Sequence, residues 1–487
     1  MTALAAIARP ALPTTSTRRS TGAIVALGCS GLLVSLLQTA VVPLIPQFPA
    51  LLSVSSSSAA WLLTATLLAG AVSAPVLGRL GDMYGKRLML LVSLGVILVS
   101  SVLAALAPNF AVLLVARAMQ GVGFGVIALG MSLMRDVLPP AKVAGGVGLM
   151  SSSLGVGGAI GPPVTGILAQ HGGWRLLFVA VAVGALGLLA VVMRMVPESG
   201  LRSGGRFDTV GAAGLSMALV CLLLGISKGS AWGWSSPLVL GLLTASIAVL
   251  TVWGRYELRC SSPMVDLRVA ARPAVLRTNL ASVLLGFSIF ATFALATQIL
   301  QAPVATGYGF GLSMLVAGVL LLPIGGSMVI FSSVSARISG RHGPSITVIA
   351  GSALLVVGNA GVASLPATAW LVVVAATVGA IGAALAYSAL PLLIMRAVPE
   401  TETAAANSLN TLMRQLGTST VTAVAAAVGG ALVVQVDGHL LPAGSAYTIT
   451  FLAAAAVALV ALVIAALTPS PRTGTGSDDA DARSLAV

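Results

Sequence analysis

Gly78-Arg79-Leu80-Gly81-Asp82-Met83-Tyr84-Gly85-Lys86-Arg87 stands between two long apolar runs, residues 60–78 and 88–107. Each run has the length that crosses a hydrocarbon core of about 30 Å, for which roughly 20 apolar residues suffice. A charged decapeptide with three glycines between two such runs reads as the turn of a helical hairpin that crosses a membrane twice. The same alternation continues in both directions. Fourteen apolar runs appear, at roughly 23–46, 60–78, 88–107, 110–133, 143–169, 174–195, 209–228, 237–255, 277–302, 312–333, 345–364, 370–395, 404–435 and 446–468. Strands of a transmembrane barrel alternate with period two over about 10 residues. These runs are longer and apolar on every face, so the expected fold is an all-α polytopic membrane protein with 14 transmembrane helices.

Composition agrees. Of 487 residues, 57% are apolar and 8% are charged, with mean hydropathy +1.06, whereas soluble domains carry about 25% charge. So few charges cannot coat a soluble globule of this size, which excludes an ordinary soluble enzyme. A net charge of +13 would point to nucleic acid in a soluble protein. Here it sorts to one side of a bilayer. Fourteen crossings put both termini on one side, and that side receives all but four of the 25 Lys and Arg residues. Arg175 and Lys228 fall opposite, and Arg117 and Arg414 lie inside spans. Basic residues concentrate in cytoplasmic loops. The expected location is therefore the plasma (inner) membrane, multi-pass, with both termini cytoplasmic, the lipid bilayer as surroundings and no nucleic-acid partner.

Residues 1–22 carry Pro10, Pro13 and a Ser/Thr stretch before the first span and read as a cytoplasmic tail. The first run is too long for a signal h-region and no small-residue cleavage pattern ends it. The tail from 469 to 487 is rich in Ser, Gly and Asp and is expected to be disordered. Three scattered cysteines make no disulfide framework. His171, His342 and His439 lie in separate loops, so no metal or other cofactor is expected.

The chain echoes itself at an offset near 260 residues. Met134-Arg135-Asp136-Val137-Leu138-Pro139 recurs loosely as Met395-Arg396-Ala397-Val398-Pro399, and residues 78–86 have a worn counterpart in 336–343. That offset carries spans 1–6 onto spans 9–14. The expected organisation is an N-terminal six-helix half at 23–200, an inserted pair of helices 7 and 8 at 201–256, a cytoplasmic loop at 257–276 and a C-terminal six-helix half at 277–468. Such repeats are a transporter plan, with the substrate site between the halves near the midplane.

Physical roles follow for the turn and for span 5. Gly78 and Gly85 permit close helix approach and a tight turn. Asp82 is an anion suited to a helix N-terminus, and Lys86 and Arg87 follow it. In span 5, Gly157 and Gly161 form a groove of the G-xxx-G kind, and Pro162 beside Pro163 removes helix hydrogen bonds. Residues 78–87 resemble the cytoplasmic signature loop of the major facilitator superfamily, G-x-L-x-D-x-x-G-[RK]-[RK]. Arg117-Ala118-Met119-Gln120-Gly121-Val122-Gly123 is similar to that superfamily's R-x-x-Q-G-x-G. Residues 157–166 look like its antiporter motif G-x-x-x-G-P-x-x-G-G, with Thr165 replacing one glycine. The fourteen spans, the hairpin opened by Phe207-Asp208 and the basic loop at 255–277 resemble the fourteen-span drug:proton antiporter family, over about residues 23–468. The resemblance implies the major facilitator fold and a monomeric exporter with a small-molecule substrate and protons as partners. It further implies that Asp82 locks onto the start of span 13, near Thr401–Thr403, and that Gly78, Asp82, Gly85, Lys86, Arg87, Gly157, Gly161 and Pro162 govern the conformational switch.

Polar groups inside spans are costly and mark functional sites. Arg117 and Gln120 share one face of span 4. Asn407, Asn410, Thr411, Arg414 and Thr418 form one stripe on span 13 that lipid cannot satisfy. Gln38 and Thr39 on span 1, Gln298 and Gln301 on span 9, and Trp61 at the start of span 2 complete the expected substrate cavity. For each there is a structural alternative, as helix-to-helix hydrogen bonding or, for Trp61, as an interface-belt residue. Asp208 reads as a helix N-cap.

The chain departs from the fourteen-span family in span 1. Where many members carry an Asp, Leu36 to Pro46 contains no acid, and none of the 12 Asp and Glu residues lies deep in a span. The expected cavity is net positive or neutral and suits neutral or anionic amphipaths better than cations. The usual coupling carboxylate is missing, which leaves Asp82, Asp136 or the substrate itself to carry a proton. An ATP-driven pump is excluded, since Lys86, Lys142 and Lys228 all lie outside a G-x-x-x-x-G-K-[ST] frame. Gly225-Ile226-Ser227-Lys228-Gly229 matches a hydrolase elbow formally but ends a membrane helix. The function expected is secondary active export of drug- or antibiotic-like molecules, not enzymatic catalysis. Uptake or facilitated transport of a neutral or anionic metabolite, or export without proton coupling, is the alternative.

Overall fold

The computed structural model describes residues 17–467, apart from 46, 366, 437 and 438. Its long elements are α1 (Thr17–Thr39), α2 (Trp61–Tyr84), α3 (Lys86–Ala105), α4 (Phe110–Gln120), α5 (Phe124–Val137), α6 (Pro140–Met195), α7 (Thr209–Trp232) and α8 (Pro237–Glu257). They continue with α9 (Pro273–Gln301), α10 (Met314–Leu320), α11 (Leu322–His342), α12 (Pro344–Ala363), α13 (Ala369–Ala397) and α14 (Thr403–Ala431). The strands β1 (Val433–Val436) and β2 (His439–Pro442) and the helix α15 (Gly444–Ala466) follow.

Local chemistry sets many of the ends. Asn109, Asp208, Ser236 and Ser313 cap α4, α7, α8 and α10 by accepting from a backbone N–H three residues on. Proline opens α6, α8, α9 and α12, where its missing N–H costs nothing. A one-turn 3₁₀ segment, Gly121–Gly123, joins α4 to α5, so Phe110–Val137 is a single crossing. The helix α6 breaks at Gly172 and Gly173, and Gly173 has φ 69° and ψ 177°, a backbone that a side chain would strain. The expected spans 143–169 and 174–195 are thus two arms of one broken helix.

Among the described residues, twelve helices are long and apolar enough to cross a membrane, against the fourteen expected. The helices of the 201–256 segment, α7 and α8, are among the twelve. The expected spans 143–169 and 404–435 are not. The first is an arm of α6. The second is a 29-residue helix, α14, whose Asn, Ser, Thr and Gln content lowers its apolarity. The fourteen-span count is therefore not supported by apolar helices, and twelve is. Two boundaries also move. The helix α1 starts at Thr17 rather than 23, and the last residues of the expected span 404–435 form an antiparallel ribbon, with Val433 opposite Pro442 and Val436 opposite His439. Residues 1–16 and 468–487 of the expected tails lie outside the described residues.

One core joins Ala281, Leu295, Met328, Leu355, Ala380 and Phe451, from α9 through α15. Another joins Leu27, Leu94, Leu129 and Met150, from α1 to α6, and reaches Leu392 and Ala404 on α13 and α14. A smaller cluster sets α7 against α2 and α14 through Ala71, Leu215, Leu219 and Leu412. Outward-facing apolar side chains such as Val183, Ile247 and Val252 are more than 60% exposed, an arrangement that needs lipid rather than water around it.

Candidate functional site

Asp82 ends α2 with its side chain fully buried. Its two oxygens accept from the backbone N–H groups of Ala404 (3.2 Å) and Ala405 (2.8 Å), in the first turn of α14. That turn has unpaired N–H groups and the positive end of the helix dipole. The two helices come this close because Gly78 has no side chain. A Cβ there would run into Ser408 and lie 2.8 Å from the carbonyl oxygen of Ala404.

Lys86 links the capped end to a second acid. Its Nζ lies 3.6 Å from Asp82 Oδ1 and donates to Asp136 Oδ2 (2.6 Å) and to Thr403 Oγ1 (2.8 Å). Ser199 Oγ donates to the same Asp136 oxygen at 2.6 Å. The side chains of Asp82 and Lys86 are fully buried and that of Asp136 is 3% exposed. The group therefore holds each charge by a partner rather than by water, and removing one strands the others. Gly85, at φ 124°, turns the chain between α2 and α3, and Glu198 packs against it while accepting from the Arg87 backbone N–H (3.1 Å). The Arg87 guanidinium donates to the Met193 carbonyl. Arg135 and Glu400 lie 4.0 Å apart at the surface, a pair of little energetic weight. Beside this lock is a cavity of about 260 Å³ lined by Arg79, Ser203, Ser262, Asp266, Glu402 and Leu409.

The groove on α6 faces α1. Thr39 Oγ1 donates to the Gly157 carbonyl (2.8 Å), and Thr165 Oγ1 donates to the Ala40 carbonyl (2.7 Å). A Cβ on Gly157 would collide with Ser35, and one on Gly161 with Thr39. The residue that departs from the family pattern, Thr165, thus ties the two helices together. The side chain of Pro162 lies outside the described residues. The expected result of Gly157→Ala is forced separation of α1 from α6, at about 1–3 kcal/mol of stability, read as a lowered melting temperature of the purified protein.

The structure separates the polar residues that the sequence groups into one cavity. Arg117 is fully buried and donates to the carbonyls of Leu37 (3.3 Å) and Leu62 (3.4 Å) and to Gln120 Oε1 (2.8 Å). Gln120 in turn donates to Ser101 (3.1 Å). These bonds tie α4 to α1, α2 and α3. The stripe on α14 behaves differently. Asn407 donates to Ser132 on α5 (3.2 Å), and Asn410 donates to Asn279 (3.0 Å) and Ser282 (2.7 Å) on α9. Arg414 donates to Thr411 (3.0 Å), and its Cζ stands 4.9 Å from the ring centroid of Tyr387 on α13. Buried atoms of this stripe lack partners among the described residues, namely Asn407 Oδ1, Asn410 Oδ1, Arg414 Nη1 and both amide atoms of Gln415. Gln38 Nε2 on α1 and Arg117 Nη2 on α4 are unpartnered among the described residues too. Trp61 stands apart, its ring 6.3 Å from that of Trp232 and 4.6 Å from Lys228 Nζ. Gln298 accepts from the Tyr447 hydroxyl (3.2 Å) at an exposed position on α9.

Tyr387, Gln415 and Ser199 escape a reading by motif. A lone tyrosine in an apolar span, or a serine in a loop, carries no spacing signal. Gln415 was legible in principle, since it adjoins Arg414.

These features belong to a transporter fold. The chain is a member of the Major Facilitator Superfamily, whose family model matches residues 27–422. It is 31% identical over 349 residues to the tetracenomycin C resistance and export protein of Streptomyces glaucescens, covering 71% of this chain and 63% of that protein. It is 28% identical over 381 residues to the multidrug resistance protein Stp of Mycobacterium tuberculosis (strain CDC 1551 / Oshkosh), covering 77% and 69%. Among solved structures, the proton:xylose symporter XylE bound to 6-bromo-6-deoxy-D-glucose superposes with TM-score 0.66 at 14% identity, covering 94% of this chain and 97% of that one. The human organic anion transporter MFSD10 (TETRAN) superposes at 0.62 with 17% identity, covering 92% and 99%. At such identities the two structures establish the fold alone.

Proposed function

We propose that this chain is a secondary active exporter of small amphipathic molecules, of the drug or antibiotic efflux type, that works by alternating access as a proton-driven monomer in the plasma membrane. The observation that carries the reading is the capping of α14 by Asp82, a contact between the two ends of the chain. It closes the face that bears the 78–87 turn, which the excess of basic residues marks as cytoplasmic together with both termini. Breaking it would let the halves 23–200 and 277–468 rock apart around a site between them. The groove of Gly157 and Gly161 on α6, packed against α1, would guide that motion. Gly85 and Gly343 occupy equivalent turns of the two halves, with φ 124° and 90° and ψ 129° and 153°, which supports the internal repeat.

In this reading Arg117 is scaffold, and Arg414 with Asn407, Asn410, Gln415 and Gln38 lines the cavity. A cationic substrate within about 4 Å of Arg414 would meet repulsion of about 4 kcal/mol at an effective dielectric near 20. No span carries an acid near its centre to offset it. Neutral or anionic amphipaths are therefore the favoured cargo. The relatives' names, resistance and export among them, support the outward direction. Efflux of a compound panel from a transporter-deficient bacterium tests this. Neutral and acidic compounds should leave faster than ethidium, and a protonophore should abolish the difference from empty cells. Strong ethidium extrusion without such a preference overturns the cargo assignment, and insensitivity to the protonophore overturns proton coupling.

A further inference from the structure

Two carboxyl groups outside this site face one buried corner of the fold, and no Lys, Arg or His among the described residues pairs with either. Asp208 precedes α7 and is 8% exposed. Glu257 ends α8 and is 2% exposed. Each has one satisfied oxygen. Asp208 Oδ1 accepts from the Gly211 N–H (2.8 Å) and the Tyr256 hydroxyl (3.0 Å), and Glu257 Oε2 accepts from the Met264 N–H (3.1 Å). The other oxygens, Asp208 Oδ2 and Glu257 Oε1, are buried and accept no well-formed hydrogen bond among the described residues, although the Val265 N–H and the Trp253 indole also face the Glu257 carboxyl. Both lie within 2.6 Å of one point, the place a Cβ on Gly211 would occupy. Trp253, also on α8, seals this corner by donating from its indole to the Gly211 carbonyl (2.8 Å).

Among the described residues the surroundings supply no compensating charge. On α7 the next ionisable residues are Cys221 and, at the far end, Lys228. On α8 and the chain after it, Tyr256 is a hydrogen-bond donor, Cys260 adjoins Tyr256, and Arg255 and Arg259 are exposed. Asp266 is occupied in capping Arg268 and Val269, and Arg202 and Arg206 are exposed. On α2, Arg79 is turned to Ser203 and Asp82 to α14, and on α14 Arg414 is turned to Tyr387. No Lys, Arg or His among the described residues forms an ion pair with Asp208 or Glu257.

Two ionised carboxylates whose free oxygens lie at most 4.9 Å apart in a buried corner repel each other strongly without a counter-charge, whereas one proton taken up by the pair removes that repulsion. We propose that Asp208 and Glu257 form a proton-binding site in which a single proton, shared between Asp208 Oδ2 and Glu257 Oε1, clamps the ends of α7 and α8 together. The site has a reach beyond the hairpin. Glu257 holds Met264, and Met264 and Val265 pack with Ala71 of α2 and Leu412 of α14. Loss of the proton therefore loosens a corner that rests on both ends of the chain.

The test uses the purified full chain in lipid vesicles, with infrared spectra recorded from mildly acidic to alkaline pH. The wild type should show a protonated-carboxyl stretch at neutral pH that disappears on alkalinisation. Both Glu257→Gln and Asp208→Asn should lack that band at neutral pH and release one proton fewer per molecule in the same titration. Both replacements keep size and hydrogen bonding, and Asn is itself a good helix cap, so the variants should fold. Tryptophan emission provides a second readout. It should shift with pH in the wild type, through Trp253, and the shift should vanish in Glu257→Gln. A band that survives in both variants, or a wild type without one at any pH, overturns the proposal. So does a pair that stays ionised and takes up a divalent cation instead.

Discussion

Asp82→Asn should open the face that carries the 78–87 turn. The amide keeps the size of the carboxylate and accepts one backbone N–H, but it loses the charge that suits both the start of α14 and Lys86. Hydrogen bonds to charged groups contribute about 1.5–3 kcal/mol each. Two are involved, at Ala404 and Ala405, and one returns as a neutral bond. A net loss of about 2–3 kcal/mol from the closed state shifts the closed–open equilibrium roughly 30- to 150-fold. Ser408→Cys is a suitable reporter, since Ser408 is buried against Gly78 in the closed form. In a background with Cys29, Cys221 and Cys260 replaced by alanine, Asp82→Asn should raise the labelling rate of that cysteine by at least tenfold. Export should fall in parallel. A folded variant with an unchanged labelling rate would remove Asp82 from the switch, and with it the main support for the closed state described above.

The parts of this molecule that could be read in advance are those where chemistry forces a pattern. Apolar length marked the crossings because lipid satisfies no backbone group, and the resemblance of residues 78–87 to the superfamily's signature loop implied a contact of Asp82 near Thr401–Thr403, where a buried anion finds donors. The count failed where that rule is diluted. The helix α14 carries a polar stripe that leaves it outside the twelve apolar helices, and α6 runs two expected spans into one helix broken only at Gly172 and Gly173. Cavity residues were the least legible. A polar residue within a span must be satisfied, yet the sequence does not say by what. Arg117 and Arg414 look alike in the sequence, since each sits several residues inside an apolar run. Only the fold reveals that carbonyls of α1 and α2 surround the first, whereas the second meets an aromatic face and one hydroxyl. The carboxyl pair of Asp208 and Glu257 was invisible for a related reason, since 49 residues of chain separate two ends that a hairpin brings together.

That difference between the two arginines yields the second large effect. Arg117→Ala removes three donor bonds that join α4 to α1, α2 and its own Gln120, and it leaves the carbonyls of Leu37 and Leu62 without that donor. With bonds from a charged donor at about 1.5–3 kcal/mol each, offset by release of a buried charge, the expected loss of stability is about 3–5 kcal/mol. Arg414→Ala removes one hydrogen bond and a cation–π contact of about 0.5–2 kcal/mol, and it relieves a buried guanidinium nitrogen that has no partner among the described residues. The net change in stability should be within about 1 kcal/mol. Export should respond in the opposite order. Arg414→Ala should reach the membrane at near wild-type level and lose at least tenfold in efflux of neutral or acidic compounds, the cargo that the proposed function assigns to its guanidinium. Arg117→Ala should be poorly expressed, and whatever folds should retain its cargo preference. Equal expression of the two variants would mean that the carbonyl cage of Arg117 does not hold the bundle together. Undiminished export by Arg414→Ala would move the substrate site off the α14 stripe.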